Sequence, residues 1–276
     1  MTLKEQVDYY SEFKHWYRKI IKDFKFDVKK DYKARDLLSE ILSKKGMNWN
    51  LETTLNSFKN AIQSKSSILI YGCGPSLEST VKNLMREKGI KLFNNYVNLA
   101  ADGASVLLKE IGIPIDAIFT DLDGITKSEF NYSDFVVIHA HGDNMDKIRE
   151  FEEDILNFEK IIGTAQVKSL NNIITAGGFT DGDRILYFLR SLLLPEQNIF
   201  LIGMDFGENI GKYSKPEMTD NQKANPIKLK KLQYAVELIL MFIKKIKNEI
   251  YFVNSKVISE KFKYISIEEF KKLILE

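Results

Sequence analysis

The stretch Ala117-Ile118-Phe119-Thr120-Asp121-Leu122-Asp123-Gly124 indicates both the fold and the kind of chemistry. Its apolar start predicts a short buried strand, and two carboxylates follow it, two positions apart. In open α/β sheets, ligands bind beyond the carboxyl ends of the strands. Mg²⁺ prefers carboxylate oxygens and completes its shell with water and substrate phosphates. The stretch therefore favours a magnesium and phosphate site at Asp121 and Asp123, and the alternative is a tight Asp-x-Asp-Gly turn.

The same alternation of apolar runs and helical patterns continues from Ser67 onward, and it predicts a Rossmann-like, mainly parallel sheet with flanking helices. The polar stretch 207–225 predicts a loop, with a lid as one option. A helix is predicted at 226–245. The predicted strands are 68–71, 96–100, 117–119, 135–138, 161–162, 172–174, 199–202 and 250–253.

Residues 1–63 differ, because apolar side chains recur there at helical spacing. We expect helices at 10–24, 34–44 and 51–63. The chain is therefore predicted to be of the α/β class, with a helical N-terminal segment (1–63) that packs on a Rossmann-like catalytic domain with C-terminal helices (64–276). The segment carries no motif, and we assign it no chemistry.

Composition excludes several classes of protein. The 276 residues include 40 basic and 38 acidic side chains, and a net charge of +2 argues against a dedicated nucleic-acid binder. A single cysteine, Cys73, cannot form an intramolecular disulfide, which fits a reducing compartment. The first residues lack the apolar core of a signal peptide, and no apolar run approaches a membrane span. We expect a cytoplasmic protein without a membrane or nucleic-acid partner.

Gly72-Cys73-Gly74-Pro75-Ser76-Leu77 follows the first predicted strand and opens a helix. Glycines permit close backbone approach, and a helix N-terminus offers N–H groups to an anion. The run lacks the lysine of a Walker loop and the third glycine of a dinucleotide fingerprint. Phosphate binding and a plain strand-to-helix turn with Ser76 as N-cap both remain open.

Polar residues follow five further strands, the last of them in Gly203-Met204-Asp205, and we weigh functional against structural interpretations for them. Asp102 could face the same rim as Asp121 or cap the next helix. The pair His139 and His141 is too small a ligand set for zinc without further donors, so we consider phosphate contacts or a structural role. Arg184 could clamp a phosphate or pair with a nearby acid. The remaining candidates at strand ends are Asp143, Thr164, Gln166, Asp181 and Asp183.

The ordered set of motifs, over roughly residues 65–210, resembles the archaeal-type (MptE-like) 6-hydroxymethyl-7,8-dihydropterin diphosphokinases. The segments around Asp102 and Asp121-x-Asp123 are also similar to those of thiamine diphosphokinases. Broader relatives include proteins linked to flagellin glycosylation, where nucleotide sugars replace ATP. Thiamine diphosphokinase and glycosyltransferase activities therefore stay open as alternatives.

The resemblance implies Mg²⁺-dependent transfer of diphosphate from ATP to the hydroxymethyl group of the pterin, with release of AMP, in the biosynthesis of tetrahydromethanopterin or a folate-like cofactor. It implies metal ligands at Asp121 and Asp123, and catalytic carboxylates at Asp102, Asp121, Asp123 and Asp143. The expected partners are ATP and a small pterin, and a homo-oligomer is one option. The residues expected to bind nucleotide and pterin are Gly72, Gly74, Pro75, Ser76, His141, Thr164, Gln166, Asp181, Asp183 and Arg184.

Overall fold

The computed structural model of the chain describes residues 1–47 and 49–273. Within them, nine strands form one sheet in the order β11-β10-β7-β1-β2-β3-β4-β5-β6, and every neighbouring pair is parallel. These strands are β1 (Ser67–Tyr71), β2 (Val97–Ala101), β3 (Ala117–Thr120), β4 (Phe135–Ala140), β5 (Ile161–Ala165), β6 (Ile173–Ile174), β7 (Asn198–Ile202), β10 (Ile250–Val253) and β11 (Lys263–Ile265). The short strands β8 (Asn209–Ile210) and β9 (Gln222–Lys223) form a separate antiparallel hairpin.

Helices cover both faces of the sheet. They are α1 (Leu3–Val7), α2 (Tyr10–Phe24), α3 (Val28–Ser43), α4 (Leu51–Ile62), α5 (Leu77–Lys88), α6 (Ile90–Asn94), α7 (Ala104–Ile111), α8 (Lys127–Phe130), α9 (Met145–Glu150), α10 (Glu152–Asn157), α11 (Asp181–Leu189), α12 (Pro226–Ile243) and α13 (Ile267–Leu273). Among the described residues, no helix combines the length and the apolar character needed to cross a membrane.

Two apolar clusters form the core, one on each face of the sheet. Side chains alternate along a strand, so Ile68 and Ile70 of β1 join one cluster while Leu69 and Tyr71 join the other. The first cluster contains buried residues of α2, α3, α4, α11 and α12, and the second contains those of α5, α6, α7 and α13. The N-terminal helices α2–α4 therefore supply part of the layer that buries one face of the sheet.

The predicted fold class is confirmed, and each predicted strand is present with ends that differ by a few residues. Strand β4 runs on to Ala140 and β5 to Ala165, so His139 and Thr164 lie within strands, not after them. Helix α3 begins six residues before the predicted position 34, because Asp27 caps it through the N–H group of Lys29. The stretch 207–225 was predicted as a loop, which is wrong in part, since it contains the hairpin β8–β9 and a 3₁₀ turn. The division into domains 1–63 and 64–276 stays a prediction.

The strand order reverses beside β1, and this reversal positions the site. The chain leaves β1 toward β2 and later returns on the other side of β1 as β7. The loops after β1 and β7 pack backbone against backbone: a Cβ on Gly72 would lie 2.7 Å from the carbonyl oxygen of Gly203, and Gly203 itself has φ +66°. Only glycine fits this approach without strain. Such a switch point is where open α/β sheets bind ligands.

Candidate active site

A cavity of about 520 Å³ lies at the carboxyl ends of the central strands. Its walls come from the loops that follow β1, β2, β3, β4 and β7, from the start of α11 and from the first turns of α12. The turn between α2 and α3 and the segment around the β8–β9 hairpin also line it. The cavity thus gathers residues from nearly the whole length of the chain.

Three carboxylates meet in this cavity. One oxygen from each of Asp102, Asp121 and Asp123 lies within 4.8 Å of the others. The backbone bends sharply to bring them together, since Asp102 has φ +46° and Leu122 has φ +72°. The hydroxyl group of Thr120 fixes the arrangement, because it donates to Asp102 Oδ1 at 2.6 Å and accepts from the N–H group of Leu122 at 2.7 Å.

The electrostatics of this carboxylate cluster favour a cation. Burial, and next the charge of Asp121, raise the pKa of Asp102 well above its ordinary value, and the same two causes raise the pKa of Asp123. Burial acts in the same direction on Asp121, but the hydrogen bond and charge of His141 outweigh it and hold the pKa of Asp121 below its ordinary value. The ammonium group of Lys215 contacts the Asp123 carboxylate. Three oxygen donors that repel one another fit a hard divalent cation such as Mg²⁺.

The loop after β4 supports the cluster. The His141 Nε2 atom lies 3.1 Å from Asp121 Oδ2. The Asn144 amide donates to the carbonyl oxygens of Asp121, at 2.9 Å, and of His139, at 2.7 Å. Its oxygen accepts from the N–H group of His141 at 3.0 Å. Asn144 therefore joins the end of β3 to the end of β4 and fixes where His141 stands.

Basic side chains line the same cavity. Arg184 comes from α11, and Lys228 and Lys231 come from the first two turns of α12. Burial, followed by the charges of Lys228 and Arg184, lowers the pKa of Lys231. Asp181 lies beside this group, with Oδ1 3.5 Å from Arg184 Nη1. Burial, and then the charge of Asp121, raise the pKa of Asp181 to about 6.

The glycine loop presents backbone to the cavity, but its helix N-terminus is already occupied. The N–H group of Ser76 donates to Asp205 Oδ2 at 2.7 Å. The N–H group of Gly74 donates to the carbonyl oxygen of Gly203, also at 2.7 Å. The Ser76 hydroxyl makes no capping hydrogen bond. Gly72 and Gly74 line the cavity, whereas Pro75 and Ser76 are not among its lining residues.

Two further predicted site residues lie away from the cavity. Thr164 is held in β5, where its hydroxyl donates to the Ile138 carbonyl oxygen at 2.9 Å and lies 3.2 Å from His139 Nδ1. Asp183 is buried beneath the start of α11 and accepts from the N–H groups of Phe179 and Thr180, each at 2.7 Å. The predicted residues that do line the cavity are Gly72, Gly74, Asp102, Asp121, Asp123, His141, Asp143, Gln166, Asp181 and Arg184. Of these, Asp143 is exposed and stands outside the cluster of three carboxylates.

Sequence reasoning missed several lining residues. The turn between α2 and α3 contributes Lys25 and Phe26, and the start of α3 contributes Lys30 and Asp31, all from the segment to which we assigned no chemistry. Lys215, Lys228 and Lys231 were missed as well. The sequence did contain a signal for Lys228 and Lys231, because lysines three positions apart in the first turns of a helix place two cations on one face.

The fold and the cavity together define a doubly wound, parallel α/β protein with a ligand site of carboxylates and basic side chains at its switch point. The chain belongs to the family described as 6-hydroxymethylpterin diphosphokinase MptE-like, whose model matches residues 43–211.

Relatives in archaea align over most of their length. The chain is 37% identical to a 6-hydroxymethyl-7,8-dihydropterin pyrophosphokinase of Pyrococcus furiosus, over 83% of this chain and 92% of that protein. It is 35% identical to a protein of the same name from Methanocaldococcus jannaschii, over 83% of this chain and 93% of that protein. Among solved structures, the MAf glycosyltransferase from Magnetospirillum magneticum AMB-1 matches with a TM-score of 0.46 and 14% identity. The match covers 84% of this chain and 39% of that larger chain.

Proposed function

We propose that the protein transfers a diphosphate group from ATP to the hydroxymethyl group of 6-hydroxymethyl-7,8-dihydropterin, releases AMP and depends on Mg²⁺. The observation that carries this proposal is that the carboxylate cluster of Asp102, Asp121 and Asp123 shares one cavity with the basic side chains of α11 and α12. The archaeal relatives named as pyrophosphokinases for this pterin support the choice of substrate.

Asp102, Asp121 and Asp123 would hold the metal ion, because they supply the hard oxygen donors that Mg²⁺ prefers. When bound, the ion neutralises charge on the phosphate oxygens and orients them. The protein's own contribution is to fix these carboxylates with the Thr120 hydroxyl and the Asn144 amide.

The basic residues would bind phosphate oxygens of the nucleotide. Arg184, Lys228 and Lys231 line the cavity, and phosphate oxygens would compensate their mutual repulsion. In phosphoryl transfer, positioning and charge neutralisation supply most of the catalysis. We assign the binding of the ATP phosphates to these three side chains.

The transfer itself is a substitution at phosphorus. The pterin hydroxyl oxygen forms a bond to the β-phosphorus, the bond from that phosphorus to the bridging oxygen of the α-phosphate breaks, and AMP leaves with the electron pair. We assign the hydroxyl proton to Asp181. Its pKa, raised to about 6 mainly by burial, lies near the operating pH that an effective general base needs. Its Oδ1 atom has no hydrogen-bond partner among the described residues.

A flat heterocycle can find aromatic partners in the same cavity. Phe26 and Phe179 line it, and the Lys231 ammonium lies 5.8 Å from the centre of the first ring and 5.9 Å from that of the second. Aromatic faces of this kind stack on planar rings. We propose that this part of the cavity accepts the pterin or the adenine ring.

The test is product analysis with ATP, Mg²⁺ and the pterin alcohol. We expect AMP release, and release of ADP or the absence of turnover would contradict the proposal. Thiamine offered in place of the pterin tests the nearest alternative acceptor. Asp121→Asn and Asp123→Asn should each lower kcat at least about 100-fold, since each removes a metal-binding charge. Asp146→Asn is the matched control, because this carboxylate is fully exposed and, among the described residues, forms an ion pair with Arg149 alone, at 2.9 Å.

Circular dichroism and thermal unfolding would establish that all three variants are folded. Wild-type rates in both Asp121→Asn and Asp123→Asn would contradict the assignment of these two residues as metal ligands. A loss of activity in Asp146→Asn as large as theirs would show that the assay reports a general effect of lost charge and not the cluster.

A further inference from the structure

The buried carboxylate of Asp31 joins the N-terminal helices to the active-site loop. Asp31 lies in the first turn of α3 and is only 6% exposed. Both of its hydrogen-bond donors belong to other elements: the Tyr17 hydroxyl of α2 donates to Oδ2 at 2.6 Å, and the N–H group of Gly142 donates to Oδ1 at 2.7 Å. The side chain thus connects α2, α3 and the loop after β4.

The loop after β4 packs closely against α3 at Gly142. A Cβ on Gly142 would lie 2.6 Å from Lys30 Cβ and 3.2 Å from Asp31 Oδ1, so the loop backbone rests directly on α3. The residue just before Gly142 is His141, whose ring lies 3.1 Å from Asp121. A displacement of Gly142 would therefore move the imidazole relative to the carboxylate cluster.

The helix side of this connection lies outside the matched family region. That region begins at residue 43, so Tyr17 and Asp31 lie outside it, whereas His141 and Asp121 lie inside it. Asn144 holds the same loop from the sheet side through its bonds to Asp121 and His139. Asp31 holds it from the helix side, so the loop is fixed from both directions.

We propose that Asp31 is a positioning residue of the active site: it fixes Gly142, and through Gly142 it sets the distance between the His141 ring and Asp121. The kinetic part of this inference rests on the proposed diphosphokinase function. The structural part does not, because it concerns contacts of this chain alone. A displacement of about 1 Å in a catalytic constellation is enough to lower turnover by orders of magnitude.

Steady-state kinetics of three variants test the kinetic part. Asp31→Ala removes the acceptor for the Gly142 N–H group, and we expect kcat to fall at least about tenfold with KM for ATP within about twofold of wild type. Asp31→Asn keeps an acceptor oxygen and should recover most of kcat. Tyr17→Phe removes only the other hydrogen bond to Asp31 and should stay within about twofold of wild type. If the loss of kcat is proportional to the loss of thermal stability across all three variants, the proposal is overturned.

The histidine signals in NMR test the structural part without any substrate. The chain has three histidines, of which His15 is exposed on α2, His139 lies in β4 and His141 in the loop. At one fixed pH, Asp31→Ala should shift the His141 ring signal and leave that of His15 in place. An unchanged His141 signal would overturn the proposal even if the wild-type enzyme is fully active.

A variant on the loop side keeps the test decisive if Asp31→Ala does not fold. Gly142→Ala leaves the buried pair of Tyr17 and Asp31 intact and pushes the loop away from Lys30. The same shift of the His141 signal is expected. A wild-type His141 signal in Gly142→Ala would contradict the proposed coupling. If the His141 signal shifts as expected but the wild type shows no AMP release, the proposed function fails and the positioning role stands.

Discussion

At the scale of single residues, Lys215 is the cation that we expect to oppose the binding of a metal ion to the carboxylate cluster. Its ammonium group contacts Asp123, while the backbone around it is held separately by bonds from Gly211 and Ser214 to the carbonyl oxygen of Cys73, at 3.0 and 3.2 Å. Removing the ammonium group therefore leaves the segment in place. What changes is the positive charge next to the cluster.

We predict that Lys215→Met binds Mn²⁺ more tightly than wild type, by about three- to tenfold in the absence of nucleotide, because a like charge no longer opposes the cation. Isothermal titration calorimetry measures this directly. Lys212→Met is the matched control: it lies on the same segment, pairs with Glu78 at 2.9 Å and does not line the cavity. Identical Mn²⁺ affinities in the two variants would contradict the prediction.

Asp181 gives a prediction about pH. Since burial above all raises its pKa to about 6, the folded protein binds this proton more tightly than the unfolded chain does. The free energy of unfolding therefore decreases as pH rises from about 4 to about 6, by at most about 3 kcal/mol from this group. Asp181→Asn cannot ionise. It should be more stable than wild type at pH 7, lose that advantage near pH 4, and lose activity as well.

Urea denaturation in a chelating buffer at the two pH values measures the difference. A stability gain of equal size at pH 4 and pH 7 would show that ionisation of Asp181 is not its cause.

The sequence locates some site residues and misses others for a physical reason. Asp102 and Asp121 directly follow β2 and β3, and Asp123 lies two positions beyond Asp121. Because parallel strands bring their carboxyl ends to one edge of the sheet, the local pattern was sufficient to predict that the three lie together. Asp31 and Lys215 reach the cavity only through tertiary packing of helices and a hairpin. Nothing in their local sequence carries that information.

At the scale of elements, α4 shows how the N-terminal helices stabilise the sheet. Its buried residues Leu51, Leu55, Phe58 and Ile62 recur at helical spacing. The fully buried ring of Phe58 makes edge contacts with Phe135, Phe188 and Phe119, at centroid distances of 5.2, 5.5 and 6.2 Å. The ring therefore connects α4 to β3, β4 and α11.

Phe58→Ala should lower the free energy of unfolding by about 3–5 kcal/mol, through lost burial and the cavity that remains. Asn60→Ala, an exposed position on the same helix, should stay within about 0.5 kcal/mol of wild type. Chemical denaturation of the two variants gives both values. A Phe58→Ala protein as stable as Asn60→Ala would mean that α4 does not stabilise the sheet.

Most of the elements could be predicted from the sequence, because buried parallel strands read as short apolar runs. The hairpin β8–β9, the edge strand β11 and the helix α1 were missed. Each is short, and the two strands of the hairpin contain a single apolar residue, the half-buried Ile210. Strands of two or three residues and a helix of five residues are too short to show a periodic pattern in the sequence.

At the scale of the whole molecule, the cavity extends beyond the matched family region. Residues 43–211 include the glycine loop and the carboxylate cluster. The stretch 25–31, which includes the start of α3, and the start of α12 lie on either side of that region and complete the walls. The family match therefore defines the core of the site, which already includes Phe179 and Arg184, and the flanking segments add Phe26 and several lysines.

The strand order described above also has a consequence for the order in which the protein can fold. β1, in the interior of the sheet, pairs with β2 about 30 residues later in the chain and with β7 about 130 residues later. During synthesis, one edge of β1 remains without its partner until about three-quarters of the 276 residues have emerged from the ribosome. Closing so long a loop is slow, and an unpaired apolar strand invites aggregation. The arrangement that creates the ligand crevice thus makes the nascent chain a candidate for chaperone binding.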